Sequence, residues 1–317
     1  MRITYIVYDG KKIEEKECKE AMKKDVRDKC LIMVYVESVD EMFASLDQLN
    51  IGNVSVKLSK DDIERSRLIA DEQLILTSQL FRVKGSKMDY MPLLVLLYKN
   101  TNTVIIISLS QEFLSKVKEC LVRNDYRVQE LDVDVLFSVI MGKLVDDYYD
   151  VTDLMDEQID ELEDLVVKEP AKINMGMLRD VRSNLVVLRR TFYFMREHVS
   201  LLLGKGIYKL STESERLLRE FYEDSAHLIE LIELQKERLA DVRDLHLSSI
   251  SLSLNIVMKK LTAINVIALP LIIIAGIYGM NLEIPEARLP YAYPVILTVM
   301  ITFAIILVLF FRKIGWF

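Results

Sequence analysis

At 317 residues the chain is long enough for a domain with its own core and something more. A hydrophobic fraction of 51% and a mean hydropathy of +0.20 are high for a water-soluble protein, and nearly all the long uncharged sequence lies after Lys260. The net charge of −7 argues against a nucleic-acid partner, which needs a basic footprint, and suits attraction of cations. Cys18, Cys30 and Cys120 are scattered and lack CxxC spacing, which fits reduced thiols and neither a zinc site nor a disulfide framework. The chain has no GxxxxGK phosphate loop, so ATP is not an expected partner. His198, His227 and His246 have no metal-site spacing, and no catalytic constellation is visible, so an enzyme is not expected.

The N-terminus has no long apolar run and reads as a strand, not as a signal peptide. Runs rich in β-branched residues predict strands at Ile3–Tyr8, Leu31–Glu37, Leu74–Val83, Leu93–Tyr98 and Val104–Leu109, with a hairpin turn at Asn100-Thr-Asn102. Ser38-Val-Asp-Glu41 and Ser59-Lys-Asp-Asp62 each place an acid three residues after a capping hydroxyl and predict helix starts. Helical sequence resumes at Ser110 and dominates from about Gln129. One long helix ends before Pro170, a second covers about Asn174–Leu203 and stops at Gly204-Lys-Gly206. A third opens on the capping box Thr212-Glu-Ser-Glu215 and meets no Gly or Pro until Pro270. Continued to Tyr278 it would run roughly 100 Å at 1.5 Å per residue, too long to be buried in one small domain.

Leu261–Tyr278 and Tyr291–Phe311 carry no charge, and each approaches the roughly 20 residues that cross a bilayer core. Lys259 and Lys260 precede the first span, Arg312 and Lys313 follow the second, and the connecting loop has only Arg288 against Glu283 and Glu286. The positive-inside rule therefore predicts a multi-pass protein of the cell membrane with both termini cytoplasmic and the loop outside. The expected organisation is α+β: a cytoplasmic α/β domain over residues 1–128, a long-helix stalk with acidic helices over 129–257, and a transmembrane part over 258–317. The spans are placed at about 261–280 and 291–311, with an outer loop over 281–290.

One face of the first span follows a heptad. Asp244, Ser248, Ser251, Asn255, Met258, Thr262, Asn265, Leu269, Ile272 and Gly276 succeed one another at alternating spacings of four and three, so all project along one side of a supercoiled helix. A packing seam between membrane helices would show a similar pattern. Asn265, however, lies near mid-membrane, where an amide needs a partner or water. A ring of identical helices around a wet axis supplies both. Two spans cannot enclose a pore, so conduction would require a homo-oligomer. In it Asn255, Thr262 and Asn265 would form polar rings, and Met258, Leu269 and Ile272 apolar rings able to close by dewetting. Neither span holds an Asp or Glu. Magnesium dehydrates reluctantly, so amides and hydroxyls that bond its retained waters are a reasonable lining.

The first span ends in Gly276-Ile-Tyr-Gly-Met-Asn281. Gly279 permits a bend and Asn281 presents a carbonyl oxygen; a glycine helix stop with an Asn cap gives the same letters. Placed after the first of two C-terminal spans, with a basic-aromatic tail, Tyr278-Gly-Met-Asn281 resembles the CorA family of magnesium transporters, over about residues 130–317 and more loosely over the α/β domain. The resemblance implies a homopentamer with a funnel-shaped cytoplasmic part and a helical membrane pore lined by the first span. Gly279, Met280 and Asn281 would form the outer filter for hydrated Mg2+. It also implies a polar ring at Asn255, a gate at Met258, a constriction at Leu269 and an acidic cytoplasmic entrance at Asp244. The tail Arg312-Lys-Ile-Gly-Trp-Phe317 has fewer basic residues than many members, and Asn265 stands where members are often apolar.

Between Lys143 and Lys168 there is no basic residue, while Asp146, Asp147, Asp150, Asp153, Asp156, Glu157, Asp160, Glu161, Glu163 and Asp164 crowd together. Such a run is usually a solvated helix face. It also repels itself without counterions, which makes divalent cations a natural partner. The resemblance adds Glu220, Glu223 and Asp224 as ligands of regulatory Mg2+ between subunits, so Mg2+ is expected both as cargo and as inhibitor. The expected function is influx of hydrated Mg2+ driven by the membrane potential, which supplies roughly 4.6 kcal/mol for two charges through 100 mV. The alternatives are transport of zinc, cobalt or nickel on the same scaffold, and a membrane-anchored signalling protein.

Overall fold

The computed structural model describes residues 2–8, 13–17, 29–49, 58, 63, 66–70, 73–85, 87–98, 102–123, 132–204, 208–280, 289 and 291–316. By packing, the chain divides into two units: Met1–Asp164 with Ile173–Val242, and Leu165–Lys172 with Arg243–Phe317.

The first unit is built on a seven-stranded mixed sheet. Its strands are β1 (Arg2–Tyr8), β2 (Ile13–Glu17), β3 (Lys29–Tyr35), β4 (Arg67–Ala70), β5 (Leu74–Lys84), β6 (Lys87–Tyr98) and β7 (Thr103–Ser108), in the order β2-β1-β3-β7-β6-β5-β4. Among the described strands only β3 and β7 pair in parallel, Cys30 to Thr103 through Tyr35 to Ser108. Both faces are buried, which is why the central strands read as unbroken apolar runs. Val34, Val36, Leu94, Leu96, Ile105 and Ile107 point to the side covered by α1 (Val39–Gln48), against Met42 and Leu46. The alternate residues, among them Leu76, Leu93, Val95 and Ile106, are buried on the opposite face. There α2 (Gln111–Arg123) lies against β3 and β7, and α4 (Met175–Gly204) lies against β4, β5 and β6.

The expected start at Ser38 is observed. Its Oγ accepts from the Glu41 N–H at 3.2 Å, and the Glu41 carboxylate accepts from the Glu37 N–H at 3.0 Å. The second expected start, Ser59–Asp62, lies outside the described residues. Strands β2 and β4 were not expected, and β6 begins six residues earlier than the sequence suggests. Pro92 hid that extension. It is tolerated because β7 stops pairing at Leu93, so at Pro92 the strand has β5 alone beside it, opposite Gln79. The β5–β6 hairpin turns at Gly85, whose φ of +58° suits glycine. The Gly85 carbonyl accepts from Gln158 Nε2 at 2.5 Å.

The helix α3 (Val133–Lys168) is pinned to this sheet through Tyr148. Its ring lies between Phe81 and Phe192, and its hydroxyl sits 2.7 Å from Ser78 Oγ and donates to the Gln79 carbonyl at 3.0 Å. At the other end of that helix, Asp134 is buried and accepts from the Ser211 N–H at 2.5 Å. Ser138 Oγ and Ser214 Oγ meet at 2.6 Å beside it. This cluster joins the start of α3 to the start of α5 (Thr212–Tyr278), a 67-residue helix that ends at the residue expected.

The second unit contains the last part of α5 and α6 (Ala292–Lys313). Among the described residues two helices are long and apolar enough to cross a membrane, α5 in its C-terminal portion and α6, and the chain itself covers almost none of their apolar surface. The helix α5 continues through Pro270, which has no N–H to offer the Val266 carbonyl.

Candidate functional site

The apolar part of α5 has two distinct sides. Ala263 is buried, and Ile267, Pro270, Leu271 and Ile274 are half-buried. On α6 the matching positions are Ala292, Ile296, Met300, Ala304 and Leu307, half-buried, and Phe311, buried. A crevice of about 510 Å³ between the two helices, lined by Ile274, Tyr278, Leu289, Tyr293 and Met300 among others, marks the same facing surfaces. All ten residues of the heptad stripe, Asp244 through Gly276, lie on the other side and are exposed in the chain. At 3.6 residues per turn, Thr262, Asn265, Leu269 and Ile272 point roughly opposite to Ala263, Ile267, Pro270 and Ile274. Met258, Leu269 and Ile272 are 59%, 60% and 64% exposed. A contiguous apolar surface of this size does not stay in water; it marks a membrane or a partner. The partner of the stripe is not α6, whose surface is taken up on the far side.

Polar groups in the two helices are treated differently. Thr298 in α6 returns its hydroxyl to the Pro294 carbonyl at 2.7 Å, and Ser251 in α5 donates to Leu247 at 2.9 Å. Asn265 makes no side-chain hydrogen bond with another described residue. At the lower end of the stripe, Asp244 accepts from Arg243 Nε and Nη2 at 3.0 and 2.9 Å. That neighbour offsets the charge expected of an acidic entrance.

At the upper end, α5 stops at Tyr278. The Gly279 N–H still reaches the Ala275 carbonyl at 2.9 Å, and the Met280 N–H reaches Ile277 at 3.3 Å. A Cβ on Gly279 would stand 3.1 Å from the Ala275 oxygen, so a side chain there would need the backbone to give by a few tenths of an ångström. Met280 is 53% exposed. Asn281 lies outside the described residues, as do residues 282–288 and Pro290.

The acidic run of α3 is not left to repel itself. Lys116 of α2 binds Asp147 and Asp150, each at 3.1 Å, and Lys143 binds Asp146 at 2.9 Å. Arg238 of α5 spans Asp156 at 2.6 Å, Asp160, and Glu163 at 3.5 Å. Burial works against the Lys116 ammonium, yet the hydrogen bonds and charges of Asp147 and Asp150 together outweigh it and hold its pKa above the ordinary value. Six of these ten acids thus have basic partners from other turns or helices, so divalent cations are not their sole source of counter-charge.

Glu220, Glu223 and Asp224 do not converge within one chain. Glu220 accepts from Arg216 at 2.5 Å. Asp224 lies near Asp146 and hydrogen-bonds Tyr149, whose ring is 6.2 Å from that of His227. Burial, then the Asp146 and Glu220 carboxylates, raise the Asp224 pKa above its ordinary value, with His227 acting the other way. Among the described residues no three His, Cys, Asp or Glu side chains are placed to hold a metal ion.

Residues 34–313 match the family model for the CorA-like Mg2+ transporter protein. The chain belongs to the CorA family. It is 35% identical over 201 residues to the cobalt/magnesium transport protein CorA of Thermotoga maritima, covering 63% of this chain and 57% of that protein's own length. The cobalt/magnesium transport protein CorA of Methanocaldococcus jannaschii is 22% identical over 280 residues, covering 87% of this chain and 88% of that one. The solved structure of the complete M. jannaschii CorA magnesium transporter superposes with a TM-score of 0.77 at 21% identity, covering 100% of this chain and 99% of that one. The whole CorA architecture, sheet domain, long helices and two apolar C-terminal helices, is thus present here.

Proposed function

We propose that this CorA-family chain is one subunit of a homopentameric channel for hydrated Mg2+, which enters down its electrochemical gradient. The observation that carries this reading is the polar stripe on the side of α5 turned away from α6. Further copies of the chain would cover that stripe, and a ring of them encloses an aqueous path. Asn255, Thr262 and Asn265 then line the path with amides and hydroxyls suited to the water shell of Mg2+. Met258, Leu269 and Ile272 close it, and Gly279, Met280 and Asn281 frame the outer mouth. Asp244, tempered by Arg243, stands at the cytoplasmic entrance. The flanking basic residues support a cell-membrane location with both termini in the cytoplasm.

Internal Mg2+ is proposed to hold the pore shut by bridging subunits at Glu220, Glu223 and Asp224. The Asp146, Glu220 and Glu223 carboxylates that act on Asp224 support this, because carboxylates crowded together gain from any cation that joins them. The test is Mg2+ uptake into proteoliposomes with an inside-negative potential. Wild-type protein should carry flux that Asn281→Ala abolishes and that internal Mg2+ suppresses. Absence of wild-type flux refutes the channel, and flux indifferent to internal Mg2+ refutes the feedback. Cobalt belongs in the same assay, since the Thermotoga relative is a cobalt/magnesium transport protein.

A further inference from the structure

We infer that Asn265 and Thr262 form a wet station for a hydrated divalent cation in the inner half of the first span, separating two short dry constrictions. This rests on the pore reading above and says where within that pore an ion halts. At 1.5 Å per residue, Met258 and Ile272 stand about 21 Å apart along α5. Were every stripe residue between them apolar, that whole length would be one dry plug. Asn265 interrupts it about 10 Å above Met258 and about 6 Å below Leu269. Thr262 lies one turn beneath Asn265 on the same face. What remains is a lower constriction at Met258 and an upper one at Leu269 and Ile272.

Three observations support the station. Asn265 is exposed on the face turned away from α6, so its amide is free of that helix. It makes no side-chain hydrogen bond with another described residue, whereas Thr298 on α6 satisfies itself on its own helix. Neither long apolar helix offers a carboxylate nearby, so a bare cation would find no replacement for its shell. A ring of amides presents both acceptors and donors, which bond the waters of a hydrated ion without stripping them. An apolar segment cut in two also wets more readily than a continuous one, so the amide ring sets the conduction rate as well as the dwell site.

The experiment measures Mg2+ uptake into proteoliposomes by wild type, Asn265→Leu and Asn265→Gln, with oligomer content of each preparation followed by cross-linking. Asn265→Leu is expected to assemble as wild type does while its flux falls about tenfold or more, because the upper dry segment then reaches down to the Asn265 position and nearly doubles in length. Asn265→Gln restores the amide and is expected to recover flux to within about threefold of wild type. Assembled Asn265→Leu that conducts like wild type overturns the station. Loss of the oligomer in Asn265→Leu, not rescued by Asn265→Gln, also overturns it, because the amide then serves helix packing. Wild-type protein that carries no divalent flux at all would instead remove the channel reading on which the station rests.

Discussion

Arg238→Ala tests how the acidic helix is neutralised. The guanidinium reaches from α5 to Asp156, Asp160 and Glu163, three acids on successive turns of α3. Their side chains are 46%, 61% and 49% exposed, so screening by water limits each pair to about 0.2–1 kcal/mol. The sum for the substitution is about 1–2 kcal/mol. Part of that loss is repulsion among the stranded carboxylates. For a chain of this size it corresponds to a melting temperature lower by about 2–6 °C. The assay is thermal unfolding of detergent-purified protein at low ionic strength, with and without millimolar Mg2+. Wild type, its acids already paired, should gain little from Mg2+ at this position. Arg238→Ala should regain most of its loss, since the cation occupies the vacated charge. An unchanged melting temperature for Arg238→Ala, or an equal response of both proteins to Mg2+, would refute the view that in-chain cations do this work.

Two other perturbations follow from buried groups. Tyr148→Phe removes the hydroxyl held between Ser78 and Gln79 and should cost about 1–2 kcal/mol. Ser78→Ala should cost a similar amount, and the double variant less than the sum, with a coupling near 1 kcal/mol in a double-mutant cycle; strict additivity would show that the two hydroxyls do not interact. Burial pushes Tyr98 and Tyr208 each up to about 12, and Tyr148 upward as well. A raised phenol pKa stabilises the fold fully below the ordinary tyrosine value, and this contribution is lost as pH rises above about 10. Melting temperature should therefore fall between about pH 10 and about 12, and Tyr98→Phe with Tyr208→Phe should flatten the fall. An identical alkaline profile for the variant would count against burial as the cause.

The features legible in the sequence were those set by local pattern. Uncharged length marked both apolar helices, Pro170 and Gly204 bounded α3 and α4, and a hydroxyl-acid pair capped α1. The heptad stripe gave the face of α5 that its partner helix leaves uncovered, because 3.5-residue periodicity survives in three dimensions along one helix. What pattern concealed depends on distant neighbours. The first half of β6 reads as Lys87-Met-Asp-Tyr-Met-Pro, and becomes a strand only because β5 lies beside it and β7 has ended. The ion pairs of α3 were hidden for the same reason, since Lys116 and Arg238 come from other helices. Arg243 was adjacent to Asp244 and could have been weighed; the chain order alone placed a cation beside the proposed acidic entrance.

The central claim is that the Asp244–Gly276 stripe of α5 faces water and the opposite side faces α6. Cysteine accessibility tests it most directly. Asn255→Cys, Thr262→Cys and Asn265→Cys, compared with Ala263→Cys, Ile267→Cys and Ile274→Cys, would be exposed in proteoliposomes to a membrane-impermeant thiol reagent, with the native cysteines setting the background. The account predicts labelling of the first three, accompanied by loss of Mg2+ uptake, and protection of the second three. Labelling of the Ala263 side, or equal protection of both sides, would contradict it.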